Sequence, residues 1–200
     1  MDKSEKLAKI SEKIEKLEES PLFDYRIKND YKPVIGEGDL DAKIMFIGEA
    51  PGAHEAKTGK PFVGRAGKLL DSLLDNINLK RKDVYITNIV KDRPPSNRTP
   101  LVGEIKIYAP FLEKQINIIE PEIIATLGRL AMSFLLKTYD HPQKDKKIGE
   151  LHGQILEAQT RNGKINIIPL YHPAAVFYNR NLEKKLEEDF QEIYNFINQT

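Results

Sequence analysis

Cysteine is absent from the 200 residues, and that one absence removes disulfides, thiolate zinc sites, cysteine nucleophiles and thiolate-held clusters together. Histidine is scarce, with four residues and neither HxxxH nor HExxH spacing, so no protein-held metal is expected. No apolar run approaches the roughly 20 residues needed to cross a bilayer. The first twenty residues are charged throughout and do not form an apolar leader, so a cytoplasmic protein is expected. An excess of charge of either sign is missing too. With 31 Lys and Arg against 30 Asp and Glu the net charge is +1, so any nucleic-acid contact must come from local patches. Two loops concentrate basic residues: Lys91 with Arg93 and Arg98, and Lys144 with Lys146 and Lys147. Taken alone, such runs are more often solvated loops than binding sites.

What is present is the composition of a globular chain, 40% apolar and 30% charged, at a length that suits one domain with its own core. From about residue 5 to 19, Leu7, Ile10, Ile14 and Leu17 recur at helical spacing among Lys and Glu, and Pro21 follows; this predicts an amphipathic helix packed on the body. Four apolar runs come next, 43–48, 84–90, 123–128 and 165–170, separated by helical patterns over about 65–78, 103–119 and 129–137 and closed by one over 182–198. Strands alternating with helices imply right-handed crossovers and a largely parallel sheet. Ligands bind such sheets beyond the carboxyl ends of the strands, which directs attention to the loops starting at Gly48, Asn88, Gly128 and Tyr171.

Three of those loops carry unusual chemistry. Gly48-Glu49-Ala50-Pro51-Gly52-Ala53-His54-Glu55 sets Glu49 where a buried strand opens, a position suited to a carboxylate base or to a simple cap. Asn88 is an amide inside an apolar run, able to brace backbone or to read a ligand edge with a carbonyl beside an N–H. Tyr171-His172-Pro173 places a histidine directly after a strand, and Val176 and Phe177 follow as an apolar tip that suits a wedge into stacked bases. Between these, Phe62 lies in a turn flanked by Gly and Pro, either as core or as a ring for a flat ligand, and the helix start beyond Gly64 and Arg65 offers N–H groups to a phosphate.

In this order, GEAPG, GKPFVGRAGKLL, TNIVKDRPPSNR, LGRLA and YHPAAV resemble family 4 of the uracil-DNA glycosylase superfamily, over nearly the whole chain. The resemblance implies an α/β/α sandwich around a four-stranded, mainly parallel sheet, in a monomer that acts on uracil-containing DNA and releases free uracil. It implies that Phe62 stacks on a flipped base, Asn88 reads the uracil edge, His172 donates to uracil O2 and Glu49 attends the attacking water. Gly48, Ala50, Gly52 and Glu55 belong to the same substrate-binding motifs. Gly64, Arg65, Lys91, Arg93, Arg98, Val176 and Phe177 are expected on the DNA side.

The chain departs from that family at the four cysteines that usually hold an iron–sulfur cluster. The corresponding positions are Leu17, Ser20, Asp92 and Tyr108. No cluster is expected, and apolar packing by Leu17 and Tyr108 is expected to fill the gap. Ile148-Gly149 and Tyr178 stand where relatives often have arginine, which would reduce phosphate contacts. The APGAHEAKTGKPF stretch also resembles family 5, though Glu49 favours family 4. Two further readings are a non-catalytic sensor of uracil or abasic DNA and a covalent uracil-DNA binder. The segment 148–152 reproduces the latter's insert poorly. A phosphate-loop nucleotide-binding protein is disfavoured, since GxxxxGK[ST] does not occur.

Overall fold

Four runs of β-branched and apolar residues form the centre of the fold because each can bury both faces of a strand. The computed structural model describes residues 1–160 and 163–199. In chain order it contains α1 (Lys3–Glu15), α2 (Phe23–Lys28), β1 (Glu37–Gly38), β2 (Ile44–Gly48), α3 (Ala53–Thr58), α4 (Arg65–Asn76), β3 (Tyr85–Asn88), α5 (Val102–Ile119), β4 (Ile123–Leu127), α6 (Arg129–Thr138), α7 (Ile148–Leu151), β5 (Leu156–Thr160), β6 (Gly163–Leu170) and α8 (Asn181–Gln199). The strands make one mixed sheet in the order β1-β3-β2-β4-β6-β5.

The predicted strands are the middle of that sheet: β3, β2, β4 and β6 run parallel. The expected count of four is corrected to six by antiparallel strands at both edges. β1 has only two residues and no apolar signal. β5 alternates buried Leu156 and Ala158 with exposed Glu157 and Gln159, as an edge strand with one wet face does.

Side chains alternate across each strand, so successive residues feed different cores. Met45 and Ile47 of β2 join Ile10 and Ile14 of α1, Leu112 of α5 and Leu135 of α6 on one face. Ile44 and Phe46 join Leu70 and Leu74 of α4 and Leu186 and Phe190 of α8 on the other. Phe46 stacks on Phe190 with centroids 5.7 Å apart, and its full burial contributes about 2 kcal/mol. The helix α1 begins with a capping box, in which Asp2 accepts from Glu5 N and Glu5 accepts from Asp2 N. It ends at Glu15, earlier than its apolar periodicity suggests, and Leu17 packs on the core from the turn beyond. Among the described residues no helix is long and apolar enough to cross a membrane.

Candidate active site at the carboxyl ends of the strands

Parallel pairing sets Gly48 beside Asn88 at the ends of β2 and β3. A Cβ at Gly48 would lie 2.4 Å from Asn88 Oδ1 and 2.7 Å from Phe62 Cζ. Glycine is therefore required there by close approach, and the amide and the aromatic ring meet over it. Asn88 is 2% exposed, yet its Oδ1 has no hydrogen-bond partner in the protein. A buried acceptor left unpaired costs about 1–3 kcal/mol, and an orphaned amide oxygen beside an aromatic ring suits a ligand that brings an N–H.

Phe62 reaches this point in a conformation that side chains avoid, with φ at +51°. Arg81 holds it there: its guanidinium donates to Phe62 O at 3.0 Å and to Pro61 O at 2.5 Å, and it pairs with Asp71. Helix α4 comes so near this loop that a Cβ on Gly67 would sit 1.7 Å from Phe62 O. Local strain maintained by converging contacts is a feature of functional loops. Arg81 carries no motif, and the sequence reading missed it.

The ring of His172 lies 5.7 Å from that of Phe62, tilted by 30°. Its Nδ1 accepts the N–H of Ala174 at 3.1 Å, so the ring proton resides on Nε2. Burial pushes the imidazole down to about 4, with Glu55 opposing. At neutral pH it is therefore an uncharged Nε2–H donor. Glu49 is half-buried and raised above the ordinary carboxylate range by desolvation, opposed by a hydrogen bond with Thr99 and by the positive charge of Arg129. Those two partners were not singled out in the sequence; they are brought in by the start of α6 and the loop before α5.

Ala50 and Gly52 lie on the loop that follows β2. Ala50 packs on the core and Gly52 caps α3. Glu55 has a definite task. One carboxylate oxygen accepts from Val63 N at 3.1 Å and Gly64 N at 2.9 Å. It occupies the start of α4 that was expected to receive a DNA phosphate, so the expectation for Gly64 is corrected: that N–H already has an anion.

Several DNA-side expectations are also corrected. Lys91 is fully buried because Thr87, Asn88 and Gln115 supply acceptors inside the protein. Arg93 bonds Tyr31 and Asn97, and Arg98 makes a two-pronged pair with Glu104, while both remain partly exposed with guanidinium N–H groups beyond these bonds. Val176 is 5% exposed and belongs to the α4–α8 core, so it cannot act as a wedge. Phe177 is exposed and stacks under Arg65, whose guanidinium lies 4.4 Å from the ring centroid. Tyr178 is the most exposed aromatic of this tip, at 93%.

The expected apolar filling of the cluster position by Leu17 and Tyr108 is joined by a polar network that was not expected. Ser20, Asp92 and Tyr108 meet through polar contacts. Ser20 Oγ lies 2.7 Å from Tyr108 OH, which donates to Asp92 at 2.5 Å. Arg26 pairs with both Asp92 oxygens at 3.2 Å and donates to the carbonyls of Ile14 and Glu15. Leu17 packs against the core as expected, and Tyr108 is a fully buried member of the same apolar cluster while its hydroxyl joins the polar contacts. These residues do not fit an iron–sulfur cluster: there is no thiolate, and the one carboxylate is already shared by a guanidinium and a phenol.

A family profile for the uracil DNA glycosylase superfamily matches residues 35–198. The chain belongs to that superfamily. It is 46% identical over 185 residues to the type-4 uracil-DNA glycosylase of Saccharolobus solfataricus, covering 92% of this chain and 83% of that protein. To the type-4 enzyme of Thermotoga maritima it is 41% identical over 190 residues, 94% of this chain and 93% of the other. A type-5 uracil-DNA glycosylase from Pyrobaculum aerophilum is 31% identical over 163 residues, covering 74% of this chain and 68% of that protein.

Proposed function

We propose that this protein is a monofunctional uracil-DNA glycosylase that flips uracil out of DNA, hydrolyses its N-glycosidic bond and leaves an abasic site. Extruding the nucleotide costs a few kcal/mol, offset when the base lies against Phe62. Asn88 Oδ1 accepts uracil N3–H and the amide nitrogen donates to O4. Cytosine presents the reverse pattern at these two atoms, which sets acceptor against acceptor and donor against donor. As the C1′–N1 bond breaks, its electron pair passes to the uracil ring and positive charge develops on the sugar. His172 Nε2–H donates to O2, a contact worth roughly 3–4 kcal/mol by analogy with oxyanion donors. Glu49 orients the water and takes its proton as the oxygen bonds to C1′. Arg65, Phe177 and Tyr178 form the rim that meets the strand, and the protein works as a monomer without a cluster.

The observation that carries this reading is the unpartnered Asn88 Oδ1 between Phe62 and Gly48, supported by type-4 glycosylases that match over most of their length. The test is an end-labelled oligonucleotide with a single uracil, incubated with EDTA and then treated with alkali. Cleavage at the uracil that disappears in Glu49→Ala is expected. An intact strand despite uracil-dependent binding would replace this reading with that of a sensor.

A further inference from the structure

Lys91 is fully buried just beyond β3, where its ammonium meets the backbone carbonyl of Asn88 from the face of the sheet opposite the Asn88 side chain. Its Nζ is 2.7 Å from Thr87 Oγ1, 2.6 Å from Asn88 O and 2.5 Å from Gln115 Oε1. The hydrogens in this knot can be counted. Thr87 gives its only hydroxyl hydrogen to Ile35 O at 2.6 Å, so it must accept from Lys91. The Gln115 amide nitrogen donates to Ile35 O and Tyr85 OH, so its oxygen faces the lysine as an acceptor. Asn88 O is a carbonyl. Three acceptors require three N–H bonds, and a neutral amine has two; the third contact would set lone pair against lone pair. Burial pushes the ammonium well below the usual lysine value, but the count of acceptors holds the proton on. None of the three partners is a carboxylate, so the charge is not neutralised within its own hydrogen-bond shell.

We propose that Lys91 is a positioning residue for uracil excision, a buried ammonium that fixes the Asn88 peptide and presents uncompensated positive charge behind the amide that holds the departing uracil anion. The proposal rests on the role of Asn88 given above. Its physical basis is preorganisation. The charge is fixed before the reaction, sits in a low-dielectric interior, and favours the state in which the base carries the electron pair. Lysine suits the place because a compact ammonium can serve three acceptors from one point, whereas a planar guanidinium cannot.

The test is single-turnover excision from a uracil oligonucleotide by wild type, Lys91→Met, Asn88→Ala and the double variant, with DNA affinity measured in parallel. Lys91→Met should slow excision about tenfold or more while DNA affinity stays unchanged. The loss in the double variant should be smaller than the product of the single losses, because both act on one group. Gln115→Glu keeps the lysine and its contact and neutralises its charge, at the loss of the amide donors to Ile35 O and Tyr85 OH, and should slow excision in the same direction even if Lys91→Met fails to fold. Multiplicative losses, or wild-type rates in Gln115→Glu, would overturn the proposal while leaving the role of Asn88 intact. A wild-type protein that releases no uracil would overturn both.

Discussion

At the scale of single residues, the site uses groups held away from their preferred states, and each displacement has a measurable sign. Burial raises Glu49 above its ordinary value of 4.5, so the folded protein binds that proton more tightly than the unfolded chain does. At neutral pH the ionised Glu49 is therefore a cost to folding. Glu49→Gln should lose excision by roughly 10²-fold or more and yet unfold at a higher temperature at pH 7 than wild type, an advantage that shrinks as the pH falls and the carboxylate protonates. The excision rate should likewise fall with pH through the raised Glu49 value.

His172 has the opposite displacement. Its folded value of about 4 lies below its ordinary 6.5, so the unfolded chain binds more protons across that interval and stability declines as pH drops through it. His172→Asn should flatten that part of the stability–pH curve, which urea titrations at several pH values would show. A curve unchanged by the substitution would mean that the histidine is not held neutral. These residues were legible in the sequence because each sits directly after an apolar run. Burial of Lys91 was not, because a lysine beside Asp92 and Arg93 looks like a basic loop until Gln115, 24 residues away, supplies its acceptor.

At the scale of elements, the loop after β3 is tied to the N-terminal helices by Arg26 and Asp92, 3% and 1% exposed. Removing one partner of a buried pair leaves the other uncompensated. Asp92→Ala should cost about 3–5 kcal/mol in urea unfolding, and Tyr108→Phe about 2–4 kcal/mol through the hydrogen bonds lost to Asp92 and Ser20. Arg81→Ala should act differently, freeing the Phe62 turn and lowering excision more than stability. Equal losses in both would make Arg81 merely structural. The parallel strands and long helices were readable from periodicity, since their patterns are local. The edge strands were not: β1 is too short to have a period, and β5 mixes apolar and polar residues as any surface segment does. The polar anchor at positions 20, 92 and 108 was also hidden, because sequence shows which residues replaced the cysteines but not that Arg26 would join them.

At the scale of the whole molecule, a net charge of +1 gives the DNA backbone little long-range attraction, so local cations such as Arg65 must make the phosphate contacts. Each neutralised phosphate adds about 0.9 to the slope of log affinity against log salt, so a shallow salt dependence is expected, steepened by about 0.9 in Tyr178→Arg and reduced by about as much in Arg65→Ala. The central claim is that Asn88 reads uracil at the end of β3. The most direct test compares single-turnover base release from oligonucleotides carrying one uracil or one cytosine, for wild type and Asn88→Ala. Strong preference for uracil in wild type, with both rate and preference lost in the variant, is the predicted result. Equal release of both bases by wild type, or undiminished uracil preference in Asn88→Ala, would contradict it.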